Sequence, residues 1–346
     1  MSDATVTLVD GAGGAASRRL VAEHVVPRLA VDPDHPDRPL LDATPFTAPG
    51  TRLATTTDAH VVRPLEFPGG SIGSLAVHGT VNDLAVSGAR PLVLTVALVL
   101  EEGLPLATFD RELDALAAAA RAAGVRVVAG DTKVVERGRA DGMYVVTSGV
   151  GEVVTDPDHP LTPANLRAGD HVLLSGPLAD HGTAVLLARE DLGIGADVRS
   201  DSASVWPLAD ALIRAASTTP GGLRVMRDPT RGGLATALNE LALDAHLGIE
   251  VHEPDVPIRP ATRGACELLG LDPWCVANEG CLVAVVAPEV ADAALVALRA
   301  VAPGGALAAR IGEVVAGPAG RVVATTAFGG RRIVDLMAGD PLPRIC

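Results

Sequence analysis

Apolar and polar positions along the chain follow two periods in turn. Strand-like runs over 52–57 and 91–100 bracket a helix-like stretch at 71–87. The unit then repeats. Over 108–123, Phe109, Leu113, Leu116 and Ala120 share one helical face, with Thr108 as N-cap and Gly124 as stop. A strand over 125–128 follows and delivers Gly130-Asp131-Thr132-Lys133 at its end. The stretch 155–170, rich in Pro, Asp, His and Asn, reads as a connection between domains. Beyond it the pattern predicts a second α/β unit. Its parts are a strand at 171–175, a helix at 181–190, a helix with Leu234, Leu238, Leu241 and Ala245 on one face and Gly248 at its end, strands at 282–286 and 322–326, and a helix at 288–301. This gives an N-terminal domain at 1–155, a C-terminal domain at 156–337 and a tail at 338–346. Periodicity is lost in the tail, where Pro341 and Pro343 favour an extended chain. Its reach of roughly 30 Å would let it act as a swinging arm.

Length agrees with that division, since 346 residues suit two cores of roughly 150 residues each. A formal charge of -14 argues against a nucleic-acid backbone or anionic lipid as partner. The apolar runs are strand-length, far below the ~20 residues of a membrane span. Residues 1–10 lack the basic flank and apolar stretch of a signal peptide, so a cytoplasmic protein is expected. Cys266, Cys275 and Cys281 have the spacing and apolar neighbours of core cysteines. Cys346 differs: at the free end of an extended tail it is expected to bury nothing, so its thiol is a candidate nucleophile. Of the 28 basic side chains only Lys133 is lysine. An ammonium can be desolvated and made to release a proton where a guanidinium cannot, so Lys133 is a candidate for proton transfer or phosphate work, with a chance survivor of a codon-biased genome as the plain alternative.

A Walker A loop needs Gly-Lys, and the single lysine follows Thr132, so any nucleotide site has another design. Gly11, Gly13 and Gly14 precede a helix-like segment and can present backbone amides to an anion; a flexible turn is the plain alternative. Asp58, Asn82-Asp83, Asp131 and Asp228 stand in loop-like contexts. Each alone is more often a cap or turn residue, but as a set they suit Mg²⁺ held by a few carboxylates with phosphate oxygens. Arg227-Asp228-Pro229-Thr230-Arg231-Gly232-Gly233 opens a helix and suits a polyphosphate or an ion-paired turn. Glu279, in Asn278-Glu279-Gly280 before a strand, suits a base or a surface turn.

Together Thr80-Val81-Asn82-Asp83-Leu84-Ala85-Val86-Ser87-Gly88-Ala89, Gly130-Asp131-Thr132-Lys133-Val134, Arg227-Asp228-Pro229-Thr230-Arg231-Gly232-Gly233-Leu234, Asn278-Glu279-Gly280 and the ending Pro343-Arg344-Ile345-Cys346 resemble the HypE family of hydrogenase-maturation factors over essentially the whole chain. The first three motifs also resemble the wider PurM-like group of aminoimidazole ribonucleotide synthetase and selenophosphate synthetase. The resemblance implies a two-domain PurM-like α/β (α+β) fold whose N-terminal domain contributes to a dimeric β-barrel, with a C-terminal α/β domain and a flexible tail. It implies a homodimer using ATP and Mg²⁺. A carbamoyltransferase, HypF, would load Cys346, the enzyme would dehydrate the carbamoyl group to a thiocyanate, and cyanide would pass to iron on a HypC–HypD scaffold for a nickel–iron hydrogenase. The roles implied are Cys346, Lys133 and Glu279 in catalysis, Gly11, Gly13, Gly14, Asn82, Thr132 and Arg231 on the nucleotide, and Asp58, Asp83, Asp131 and Asp228 on the metal. Asp10 and Ala129 depart from the family pattern. Two alternatives are another PurM-like amide-activating or phosphoryl-transfer enzyme with a free small substrate, which has no need of Cys346, and a nucleotide-gated scaffold, which has no need of Lys133 or Glu279.

Overall fold

The computed structural model describes residues 15, 44–48, 51–189, 196–336 and 344–346. The Gly11, Gly13 and Gly14 loop, and most of the expected tail, lie outside the described residues. The first layer comprises β1 (Thr44–Ala48), β2 (Thr51–His60), the short β3 (Glu66–Phe67) and β4 (Gly70–Ser71), α1 (Ile72–Val86), β5 (Ala89–Glu101), α2 (Leu106–Ala122), β6 (Arg126–Val135) and β7 (Met143–Val153). Five of these strands form a sheet in the order β1-β2-β7-β5-β6, antiparallel except for the parallel β5–β6 pair. Strict alternation puts Met143, Val145 and Thr147 of β7 on the covered face and leaves their neighbours half-exposed. α1 covers that face. It is buried nearly all round, because the other side of the helix meets the second domain, and its apolar residues accordingly show little amphipathic bias.

The second layer holds β8 (His171–Leu174), α3 (Asp180–Arg189), α4 (Trp206–Ala216), β9 (Leu223–Arg227), α5 (Gly233–Ala245), β10 (Gly248–His252), α6 (Pro260–Leu269), β11 (Val283–Val286), α7 (Pro288–Arg299), β12 (Ala309–Val315), β13 (Val322–Thr325) and β14 (Arg331–Val334). Its seven-stranded sheet runs β14-β13-β10-β12-β8-β11-β9. β11 sits inside it with all four residues buried, as expected of a continuous apolar run with both faces covered. In α5 the predicted Leu234, Leu238 and Leu241 are buried in the main core.

Three sequence expectations are corrected. Asp58 lies within β2 and Asn82-Asp83 within α1, not in loops. The strand at 125–128 in fact runs on to Val135, since β6 pairs with β5 along its length, Val96 opposite Gly130 and Val99 opposite Lys133. Gly130-Asp131-Thr132-Lys133 therefore lies within an outer strand, not in a loop at its end. The N-cap of α2 is Pro105, not Thr108. A proline can stand there because the first amides of a helix have no intrahelical partner.

Candidate active site

Segments from both domains meet around an acidic cavity of about 180 Å³. The end of β2 supplies Asp58 and His60, and α1 supplies Asp83. The helix can lie this close because its residue 79 is glycine; a Cβ there would stand 2.7 Å from the His60 ring and 3.5 Å from the Asp58 carboxylate. Thr56 donates its hydroxyl to Asp83 Oδ2 at 2.7 Å. From the second domain come Asp228, Thr230 and Arg231 in the turn between β9 and α5, and Glu279 in the turn before β11.

Asn278 fastens those two turns together. Its side-chain amide donates to Pro229 O at 2.8 Å and to Val276 O at 3.0 Å, and its Oδ1 accepts from Ala179 N at 2.7 Å. Asp201 holds the Glu279 backbone by accepting from Glu279 N at 3.1 Å and Gly280 N at 3.0 Å. A Cβ at Gly280 would lie 1.7 Å from Asp201 O, so only glycine allows the two backbones to meet. Asn82 ties the same turn to α1: its Nδ2 donates to Glu279 O at 3.0 Å and Ala203 O at 3.1 Å, and its Oδ1 accepts from Val205 N at 2.8 Å. With its amide so occupied and its side chain buried, Asn82 joins the two domains from behind the cavity.

Cys346 lies on the wall of this cavity, half-buried and packed against the main core. This corrects the expectation that the terminal cysteine buries nothing. Ile345 is 2% exposed and belongs to the core, so it acts as an anchor one residue from the thiol. The Arg344 carbonyl accepts from Arg63 N at 3.2 Å and Arg189 Nη2 at 2.7 Å; the Ile345 carbonyl accepts from His181 Nε2 at 2.9 Å. The Arg344 guanidinium pairs with Asp141.

Like charges dominate the electrostatics. Burial, then the Asp228, Asp201 and Asp58 carboxylates, push Glu279 well above the usual carboxylate range, with Arg231 acting the other way. Burial lowers His60, partly offset by Asp58. Among the described residues no group of three His, Cys, Asp or Glu is placed to hold a metal ion by itself. Mg²⁺ does not require one, since it binds through one or two carboxylates and completes its shell with phosphate oxygens and water. Asp58, Asp83 and Asp228 are hard oxygen donors on one cavity and fit such an ion; the repulsion that raises Glu279 is what a cation would relieve.

Of the residues singled out from sequence, Asp58, Asp83, Asp228, Arg231, Glu279 and Cys346 come together here. Asp131, Thr132 and Lys133 are not part of the cavity lining. They are exposed on β6, where Lys133 Nζ stands 2.9 Å from Asp131 Oδ2. Sequence reasoning missed His60, His181 and Asp201. Asp58 and His60 are two apart on one strand and so share a face, a usable signal. Nothing local marks the other two, because their partners are 164 and 78 residues away.

The fold and this interdomain cavity define a protein of the AIR synthase related class: the N-terminal domain model matches residues 41–153 and the C-terminal domain model residues 167–325. Within it, the chain is 49% identical over 346 residues to "Carbamoyl dehydratase HypE" of Rhodobacter capsulatus, covering 100% of this chain and 99% of that protein. A crystal structure of the hydrogenase maturation protein HypE in complex with ATP matches with TM-score 0.80 and 44% identity, covering 99% of this chain and 100% of that one. A HypE–HypF complex matches with TM-score 0.83 and 39% identity, covering 92% and 99%. The chain belongs to the carbamoyl dehydratase HypE family, enzymes of hydrogenase maturation.

Proposed function

We propose that the chain uses ATP to dehydrate an S-carbamoyl group on its own Cys346 to a thiocyanate. The observation that carries this reading is the seat of the tail: Ile345 buried, two successive carbonyls captured, and Cys346 on the wall of the cavity that holds Glu279 and the three aspartates.

An amide oxygen leaves poorly. Transfer of the ATP γ-phosphoryl group to that oxygen turns it into phosphate, and loss of the two nitrogen protons as phosphate departs forms the C≡N bond. Glu279 would take a proton from the carried nitrogen: it shares the cavity with Cys346, and its raised pKa makes its carboxylate the stronger base. Asp58, Asp83 and Asp228 would hold Mg²⁺, which would neutralise phosphate charge, and Arg231 on the exposed rim would pair with the polyphosphate. Gly11, Gly13 and Gly14 would cover the phosphates.

Lys133, Asp131 and Thr132 enter this reading through a homodimer. β6 is an outer strand whose residues are exposed apart from its last, with Val127, Val128 and Val134 presented outward. An exposed apolar edge strand calls for a partner, and pairing two such sheets into a barrel would bring Lys133 of each subunit toward the other. A HypE–HypF complex is known for a relative, and we assign HypF as the donor of the carbamoyl group and HypC–HypD as the acceptor of cyanide. Among the described residues no helix is long and apolar enough to cross a membrane. A thiol that must stay reduced to be loaded suits the cytoplasm.

Intact-mass measurement of the C-terminal peptide after incubation with the transferase, carbamoyl phosphate and MgATP tests the reading. Wild type should gain first a carbamoyl and then, with ATP alone, a cyano group at Cys346, and Cys346→Ala should gain neither. An unmodified Cys346 in the presence of an active transferase would move the small-substrate enzyme to first place.

A further inference from the structure

His181 stands in the first turn of α3 and is wholly buried, yet both ring nitrogens are engaged. Nε2 meets the Ile345 carbonyl at 2.9 Å, and Nδ1 meets Ser200 Oγ at 2.8 Å. A carbonyl only accepts, so Nε2 carries the proton and Nδ1 accepts from the Ser200 hydroxyl, whose oxygen in turn accepts from Ser202 N at 3.0 Å. The edge contact with the Phe67 ring, centroids 5.4 Å apart, fixes the imidazole plane. Burial lowers His181 to about 4, which keeps it in this neutral form at working pH.

The mount of this imidazole leads to the catalytic turn. Ala179, two residues earlier, has φ of 71°, in the left-handed region that a side chain enters only when held. What holds it is Asn278, the neighbour of Glu279. Asp180, between them, is tied to Thr262 and to Arg259 Nε at 2.8 Å. Asn278 therefore sets both the Glu279 turn and the helix start that presents His181. At the other end of α3, Arg189 captures the Arg344 carbonyl. One helix thus grips two consecutive tail carbonyls.

We propose that His181 is a positioning residue for the dehydration half-reaction: its Nε2–H clamps the carbonyl preceding Cys346 and holds the loaded sulfur within reach of Glu279. This rests on the reading that Cys346 carries the carbamoyl group. The clamp serves one step and opposes the other. Dehydration needs the sulfur in the cavity, whereas a transferase must reach a thiol that the docked tail keeps half-buried.

The test uses full-length protein with His181→Phe, which removes both polar contacts, His181→Gln, which can still donate to the Ile345 carbonyl, and Arg189→Ala at the accessible end of α3. Three rates are read: alkylation of Cys346 by iodoacetamide, loading by the transferase, and ATP-dependent conversion of the loaded protein in a single turnover. For His181→Phe, alkylation should rise by about tenfold and conversion fall by about as much, the loss of one buried hydrogen bond to the tail; Arg189→Ala, whose contact is exposed, should move both rates the same way by less, and loading is unchanged or faster in both. His181→Gln should recover most of the conversion rate. Arg189→Ala carries the test if His181→Phe fails to fold. The inference is overturned if alkylation stays at the wild-type rate, or if loading and conversion fall together as in a merely unstable protein. Failure of wild type itself to be modified at Cys346 would instead overturn the underlying reading.

Discussion

Asn82 in α1 donates its side-chain amide to the backbone carbonyl of Glu279 at 3.0 Å, joining the first domain to the Glu279 turn of the second across 197 residues of sequence. The same side chain satisfies Ala203 O and Val205 N, and it is 1% exposed. Asn82→Ala leaves Val205 N buried without its acceptor, while Glu279 O keeps Ala203 N and Ala203 is exposed, and we expect a loss of about 1–3 kcal/mol in denaturant unfolding. Asn82→Asp keeps the acceptor for Val205 N but sets a carboxylate against two carbonyls, so it should be at least as damaging despite its matching shape.

Glu279 separates stability from activity. Its carboxylate is crowded by Asp228, Asp201 and Asp58 as well as buried, so its ionised form is disfavoured in the fold. A folded-state pKa above the unfolded value means that stability is lost as pH rises through that interval. Glu279→Gln removes the ionisation, and we expect its Tm at neutral pH to exceed wild type by roughly 2–4 °C. Dehydration of loaded Cys346 should fall by about 10²–10⁴-fold while loading by the transferase is retained. Calorimetry and single-turnover mass measurements on one preparation check both halves.

Much of this was legible in the chain. Helical spacing of Leu234, Leu238 and Leu241 located α5 and its buried face, and the polar motifs picked out six of the residues that line the cavity or its rim. The failures share a cause. Lys133 and Asp131 look like loop residues in the sequence because an edge strand exposed on both faces carries polar residues without breaking, and hydropathy does not distinguish the two. The tail was read as free because Pro341 and Pro343 say only that it is extended; that Ile345 finds a core and His181 finds its carbonyl depends on residues more than 150 positions away.

Asp201 gives a pH signature. Burial is the main cause that lifts it from the ordinary carboxyl value of 3.8 to about 6, against the two amides it accepts from Glu279 and Gly280. The sign follows from the raised value: its contribution is full below about 4 and is lost as pH rises through about 6. Asn at this position still offers an oxygen to Glu279 N but does not ionise. The Tm difference, Asp201→Asn minus wild type, should therefore grow between those two pH values and level off above them. A flat difference would show that Asp201 does not titrate in this window.

The outer strand β6 makes the assembly testable. Val128 is 53% and Val134 67% exposed, large apolar side chains on a strand with no second neighbour among the described residues. Replacing both with Lys should shift the protein from dimer to monomer in sedimentation equilibrium with little change in Tm of the monomer, because neither side chain is buried within one chain.

The homodimer we propose through that edge would give Lys133 a role across the interface. Its ammonium lies outside the lining of its own cavity, 71% exposed and paired with Asp131, so in the proposed dimer it would act toward the partner's Cys346. Lys133→Ala and Cys346→Ser should each be inactive as homodimers. After mixing, unfolding and refolding together, the heterodimer places an intact Lys133 from one chain opposite an intact Cys346 of the other, and cyanation should return in about half of the dimers formed by random pairing. Recovery after mixing would establish action across the interface. If the mixture stays inactive although heterodimers form, Lys133 serves its own chain and β6 must move to bring it in.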